Sequence, residues 1–157
     1  MSDAPEFFAM RSDPEVMRFV RRPLALTIDD AKAFITRFPD GERDHPCAQW
    51  AMTLKGNDPG SGAGTCIGVI GPWRIDPENH GGEMGYMLAS EHWGQGLMSE
   101  AIATVADHAF GVLGLHSLEA WTQAGNTASM RVLEKNGFIR EAHFKENIFW
   151  DGAFCDS

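Results

Sequence analysis

The residues best placed to do chemistry in this 157-residue chain lie in the run from His92 to Ala101, His-Trp-Gly-Gln-Gly-Leu-Met-Ser-Glu-Ala. Gly94 and Gly96 lack a Cβ, so the backbone there can take positive φ and let another molecule come close. Ile102, Val105, Ala109 and Val112 then recur at helical spacing, which predicts a helix with one buried face. Such a helix leaves its first N–H groups without intrahelical partners and aims the positive end of its dipole at the turn. A phosphate or pyrophosphate suits that position. Just upstream, Glu83 to Ala89 is a short apolar run between Gly81-Gly82 and Ser90-Glu91, the pattern of a buried strand. Strand, glycine turn and helix together make a phosphate cradle; a plain tight turn that starts a helix is the alternative.

Spelling removes some phosphate motifs. The chain has no Walker lysine pattern, and Gly94-x-Gly96 lacks the third glycine of the dinucleotide fingerprint. With 22 acidic and 13 basic residues the formal charge is −9, and no basic run exceeds Arg21-Arg22, so a nucleic-acid partner is not expected. Acidity favours a cationic amine or a basic protein tail, and is also the ordinary charge of a soluble protein. Cys47, Cys66 and Cys155 are odd in number without ligand spacing, implying neither a disulfide framework nor a zinc site. No apolar window is long enough for a membrane span and no leader pattern opens the chain, so no membrane partner and a cytoplasmic location are expected.

Thirty residues beyond the cradle stands Asn126-Thr-Ala-Ser-Met-Arg-Val-Leu-Glu-Lys-Asn-Gly-Phe138. Together with Glu83-x-Gly85-Tyr86 and the cradle, it resembles the GNAT superfamily of acyl-CoA-dependent N-acetyltransferases, and within it the RimJ/RimL type that acetylates protein N-termini and small amines. The resemblance runs from about Ser12 to Asp151. It implies one domain over 1–157, a mixed, mostly antiparallel central sheet flanked by helices (an α/β, or α+β, class), and acetyl transfer from acetyl-CoA to a primary amine, on a small molecule or a peptide N-terminus, without a metal.

What the resemblance implies for single residues follows from that reaction. Trp93, Gly94, Gln95, Gly96, Leu97, Met98 and Ser99 match the family's pyrophosphate loop; Met98 stands where a small residue is usual, tolerable if its side chain points into the core. Met87 and Leu88 would pair with pantetheine, one of their amides facing the thioester oxygen. Asn126 matches a cofactor-contacting asparagine and is equally a helix N-cap. Many members place a proton-donating tyrosine seven residues after that asparagine, where this chain has Leu133. Ser129, one helical turn from Asn126, is the substitute as a cofactor contact and general acid; a serine bonded to its own helix is the alternative. Glu83 is the first candidate for general base, its pKa raised by partial burial, against a structural carboxylate holding a loop. His80, His92, His116 or a water chain are further candidates for the base.

These residues must be positioned by the elements around them. Helices are predicted over Ala4–Arg11, briefly after Ser12-Asp13-Pro14, and from a Thr27…Asp30 capping box through Phe38, burying Ile28, Ala31, Phe34 and Ile35. Strands are predicted over Ala48–Lys55 and Cys66–Ile75, joined by a flexible Gly60–Gly64 connection, then Gly82–Ala89, Ser117–Gln123, and one or two across Phe138–Phe149. Trp50, Trp73 and Trp121 are read as core or as groove walls. Asn136-Gly137 should end the last helix. The first strand usual in the branch does not precede the first helix, and only part of the last strand follows Trp150. Either the chain is shortened at these ends or a partner completes the sheet, and a homodimer is expected on the second reading. The alternatives are a catalytically silent acyl-CoA-binding module and a domain whose glycines only make turns.

Overall fold

A computed structural model describes residues 3–37, 46–55 and 64–157. The elements are α1 (Ala4–Ser12), α2 (Pro14–Met17), α3 (Ile28–Arg37), β1 (Trp50–Met52), β2 (Gly68–Asp76), β3 (Gly81–Leu88), a 3-10 turn at Ser90–His92, α4 (Leu97–Gly111), β4 (Ser117–Glu119), α5 (Thr127–Lys135), β5 (Ile148–Trp150) and β6 (Ala153–Cys155). Phe38 and the Gly60–Ala63 part of the expected connection lie outside the described residues.

Local chemistry sets the helix ends. Asp13 accepts the Glu15 N–H at 2.8 Å and starts α2. At α3 the capping box forms: Thr27 Oγ1 accepts the Asp30 N–H at 3.3 Å, while Asp30 Oδ2 accepts the N–H groups of Thr27 and Leu26 at 2.9 and 3.0 Å. Asn126 Oδ1 accepts the Ser129 N–H at 3.2 Å and caps α5. At its other end Gly137 takes φ +86. There the Gly137 and Phe138 N–H groups donate to the carbonyls of Glu134 and Leu133, each at 3.1 Å, which is a Schellman ending.

The main sheet has the order β1-β2-β3-β4. The first two pairings are antiparallel and β3–β4 is parallel. Successive strand residues face opposite sides, and both sides are covered. Val69 and Met87 pack with Phe7, Met10, Ala31 and Cys66 under α1 and α3. Ile70 and Met84 pack with Ile102, Val105 and Leu133 under α4 and α5.

Several expectations change. Val112 is 70% exposed because α4 ends at Gly111 and carries it past the sheet. Ile28, at the first position of α3, is 38% exposed, while Ala31 in the next turn is buried. The strands around Trp50 and Trp121 are short, and both indoles are exposed. Trp50 meets His108 edge-on at 5.2 Å, and Trp121 stacks on Phe144 at 5.5 Å. Most of Phe138–Phe149 is not strand. Only Ile148–Trp150 pairs, with Ala153–Cys155, in a hairpin separate from the main sheet. This tail is tied down by other bonds: Phe144 and Ser157 exchange backbone bonds at 2.7 and 2.9 Å, and Ala124 N–H donates to the Asp156 carbonyl at 3.1 Å.

Candidate active site

The turn between β3 and α4 has the shape its glycines require. Gly94 and Gly96 take φ +72 and +81, and a Cβ on either would meet nothing within 4 Å. Both therefore serve backbone conformation beside open space. Gly96 is the N-cap of α4 and no side chain caps the helix; its first intrahelical bond runs from Glu100 N–H to the Gly96 carbonyl at 3.1 Å. The N–H groups of Leu97, Met98 and Ser99 thus point out of the helix end, as an anion site needs.

Side chains of the loop brace it. Trp93 Nε1 donates to the Leu88 carbonyl at 2.9 Å, and Gln95 Nε2 to the Glu91 carbonyl at 3.0 Å. Met98 packs against the α4/α5 core cluster, so its bulk lies away from the open space. Ser99 Oγ accepts from Asn136 Nδ2 at 3.1 Å, and the same amide donates to the Val132 carbonyl at 2.7 Å. That clamp fastens the start of α4 to the end of α5; Asn136 was read from sequence only as a helix terminator.

Next to the cradle the sheet opens. β3 and β4 pair only over Gly81–Glu83 and Ser117–Glu119, so Met84–Leu88 has no strand on that side among the described residues. The Ala89 N–H donates to Ile67 at 2.9 Å, in the register that pairs Leu88 with Gly68. Peptide groups alternate sides along an antiparallel ladder, so Met87 faces β2 as Ala89 does. Met84, Tyr86 and Leu88 face the opening. Of the two expected pantetheine partners, Leu88 turns its backbone there, and Met87 is engaged with β2.

Ser129 and Glu83 lie on different faces of β3. Ser129 Oγ is 2.6 Å from the Tyr86 hydroxyl, on the α4/α5 face. Asn126 uses its side-chain oxygen on the Ser129 N–H, so Asn126 and Ser129 sit together as expected. Leu133 is buried core. Glu83 falls on the α1/α3 face, three residues and roughly 10 Å along the strand from Tyr86. Its side chain is 12% exposed, with Oε2 3.5 Å from Arg74 Nη1. Burial pushes its pKa up, the strongest influence; Arg74 and a bond from Trp73 pull it down, and Glu119 raises it. Glu83 is therefore both buried enough to act as a base and engaged in holding the end of β2, where Arg74 takes φ +52.

Tyr86 is the functional candidate that sequence reasoning passed over. It entered only as part of a motif, although its even spacing with Met84 and Leu88 already placed it on their face of the strand. On the α1 side a cleft of about 240 Å³ carries the carboxylates of Glu6, Asp13 and Glu91 together with Cys66. Burial also pushes the Cys66 thiol up. Among the described residues no three His, Cys, Asp or Glu side chains come together to hold a metal ion, and no helix is long and apolar enough to cross a membrane.

The chain is similar to known proteins in sequence and in fold. The family model for the acetyltransferase (GNAT) domain matches residues 1–139. An uncharacterized N-acetyltransferase, p20, from Bacillus licheniformis is 29% identical over 156 residues, covering 99% of this chain and 84% of that protein. The ribosomal-protein-serine acetyltransferase of Escherichia coli strain K12 is 36% identical over 90 residues, 57% of this chain and 50% of the relative. In fold, the chain is similar to the crystal structure of spermidine N-acetyltransferase from Vibrio cholerae in complex with CoA and spermine. The TM-score there is 0.81 at 19% identity, over 98% of this chain and 85% of the other. With an open-ended helix, a splayed parallel strand pair and a family match over most of its length, the chain belongs to the GNAT family of acetyl-CoA-dependent N-acetyltransferases.

Proposed function

We propose that a cationic primary amine is the acceptor and that it attacks the thioester of acetyl-CoA directly, between the two faces of β3. The observation that carries this is the adjacency of the open cradle at α4 to Met84–Leu88, whose edge toward β4 is unpaired among the described residues. The amides of Leu97, Met98 and Ser99 hold the pyrophosphate, and pantetheine runs along β3. The Leu88 N–H faces the thioester oxygen, where a fixed donor stabilises charge that develops in the transition state. Trp93 holds the Leu88 carbonyl in place.

Glu83, on the acceptor side, takes a proton from the ammonium group, through water where it does not touch it. The amine lone pair attacks the carbonyl carbon, the C–S bond breaks, and its electron pair goes to sulfur. Ser129, on the opposite face, gives its proton to the thiolate and is refilled from water. Two protons leave the amine nitrogen and one reaches sulfur, so one is released per turnover. Separation of the two residues by the strand suits a reaction in which acceptor and leaving group part in opposite directions.

The acidic cleft and the net charge of −9 support a positively charged acceptor. Similarity to a ribosomal-protein acetyltransferase and to a spermidine acetyltransferase supports the same chemistry, a peptide N-terminus or a small polyamine. The work is done in the cytoplasm by a homodimer, an assembly supported by the exposed aromatic hairpin β5–β6 and by the place of β4 at the end of the main sheet. Isothermal titration with acetyl-CoA, followed by thiol release over a panel of amines and short peptides, tests the reading. Micromolar binding with release by one cationic class is expected. Binding without release would leave only a CoA-binding module, and no binding by a folded sample would overturn the cradle.

A further inference from the structure

We propose that Tyr86 is a positioning residue for acetyl transfer: its phenol donates to Ser129 Oγ and leaves the Ser129 proton directed at the departing thiolate. The inference rests on the acetyl-transfer reading above and adds to it the group that orients the acid.

A helical serine can spend its proton on a backbone carbonyl three or four residues earlier. Here Tyr86 Oη lies 2.6 Å from Ser129 Oγ and 3.5 Å from the Ser129 carbonyl, so a second hydroxyl reaches the serine from the strand. Tyr86 arrives on the face shared with Met84, beside the core cluster that contains Leu133, the position that carries no phenol in this chain. The phenol is thus supplied from β3, and it addresses the serine.

Donation by Tyr86 is the direction that chemistry favours, because a phenol is a stronger acid than an aliphatic alcohol and so the better donor. Burial also pushes the phenol pKa up, against a smaller downward pull from Ser129, so the ring keeps its proton through the neutral range. A hydroxyl that accepts a hydrogen bond becomes a better donor. As the C–S bond breaks, the Ser129 proton goes to sulfur and water refills the serine. Tyr86 keeps its own proton throughout.

The experiment exploits the fact that this is the only tyrosine in the chain. Protein made with 3-fluorotyrosine should give one fluorine resonance, shifted by Ser129→Ala and shifted again in the parent by CoA. In steady-state kinetics Tyr86→Phe should lower kcat about tenfold, while KM for acetyl-CoA moves less than about twofold and Tm is nearly unchanged. Because the two hydroxyls act as one unit, Tyr86→Phe with Ser129→Ala should be no slower than Ser129→Ala alone. A Tyr86→Phe enzyme with parental kcat, losses that multiply in the double variant, or a resonance indifferent to Ser129→Ala would overturn the proposal. If Tyr86→Phe does not fold, the fluorotyrosine spectrum of Ser129→Ala decides. A parent that binds CoA but acetylates no amine sinks the acetyl-transfer reading and the proposal together. A working parent slowed by Ser129→Ala and not by Tyr86→Phe sinks the proposal alone.

Discussion

Two backbone angles shape the turn proposed to hold a phosphate. At Gly96, φ +81 is unfavourable for any side chain even though the space beside it is open, so Gly96→Ala should destabilise by about 1–2 kcal/mol. CoA affinity should fall at least about tenfold in protein that remains folded, as titration calorimetry and a thermal melt on the same sample would show. Glu83 carries the other prediction at this scale. Its folded pKa is raised, so the folded state holds this proton more tightly than the unfolded chain does. The associated stability is fully present below the unfolded pKa and is lost as pH rises through the folded pKa. Glu83→Gln should therefore melt higher than the parent at about pH 8, with the advantage shrinking in acid. If Glu83 is the base, the parent's rate falls as pH drops through the raised pKa and the variant, slower everywhere, loses that limb. A variant with parental kcat and an unchanged pH profile would leave Glu83 as a brace for Arg74. Spacing alone predicted the turn at Gly94 and Gly96 and the Asn126 cap, because it encodes local geometry, whereas Ser129 was singled out through the family resemblance. Neither could reach the 2.6 Å contact of Tyr86 with Ser129, which joins residues 43 apart through the packing of α5 on the sheet.

Among the elements, α5 has the clearest double duty. Asn126→Ala removes the bond to the Ser129 N–H and should cost about 1 kcal/mol, whereas Asn126→Ser should recover most of it. If Asn126 also touches the cofactor, serine restores the melting temperature and not the CoA affinity. Helix starts were legible because they are written in short-range chemistry, as the Thr27–Asp30 box and the Asn126 cap show. Strand extents were less so. Trp50–Met52 and Ser117–Glu119 occupy only part of the apolar runs that suggested them, because a strand ends where its partner leaves, and that depends on the partner. The divergence of β3 from β4 after Glu83 and Glu119, which makes the opening, is likewise a property of the pair.

For the molecule as a whole, the two-sided covering of the sheet was legible, since Val69 beside Ile70 and Met84 near Met87 must each find apolar cover on their own side. The hairpin was not: Phe149 and Phe154 remain 64% exposed with their rings 5.0 Å apart, and alternation over Phe138–Phe149 does not reveal a strand that leaves the main sheet. An apolar face of this kind favours association. Light scattering after size exclusion should give the mass of a dimer, and Phe149→Ser with Phe154→Ser should shift it toward monomer. A monomeric parent at tens of micromolar would remove the dimer.

The clamp between Ser99 and Asn136 makes α5 a ruler. One end of this helix is fixed to the phosphate cradle, and Ser129, seven residues back, stands about 10 Å along the axis from that fastening. In the mode proposed above, the donor is measured as well as bound, because its anionic end and its sulfur must meet two points whose separation a rigid rod has set. A CoA analogue with its arm one methylene longer should still occupy the cradle, and turnover should fall more than affinity.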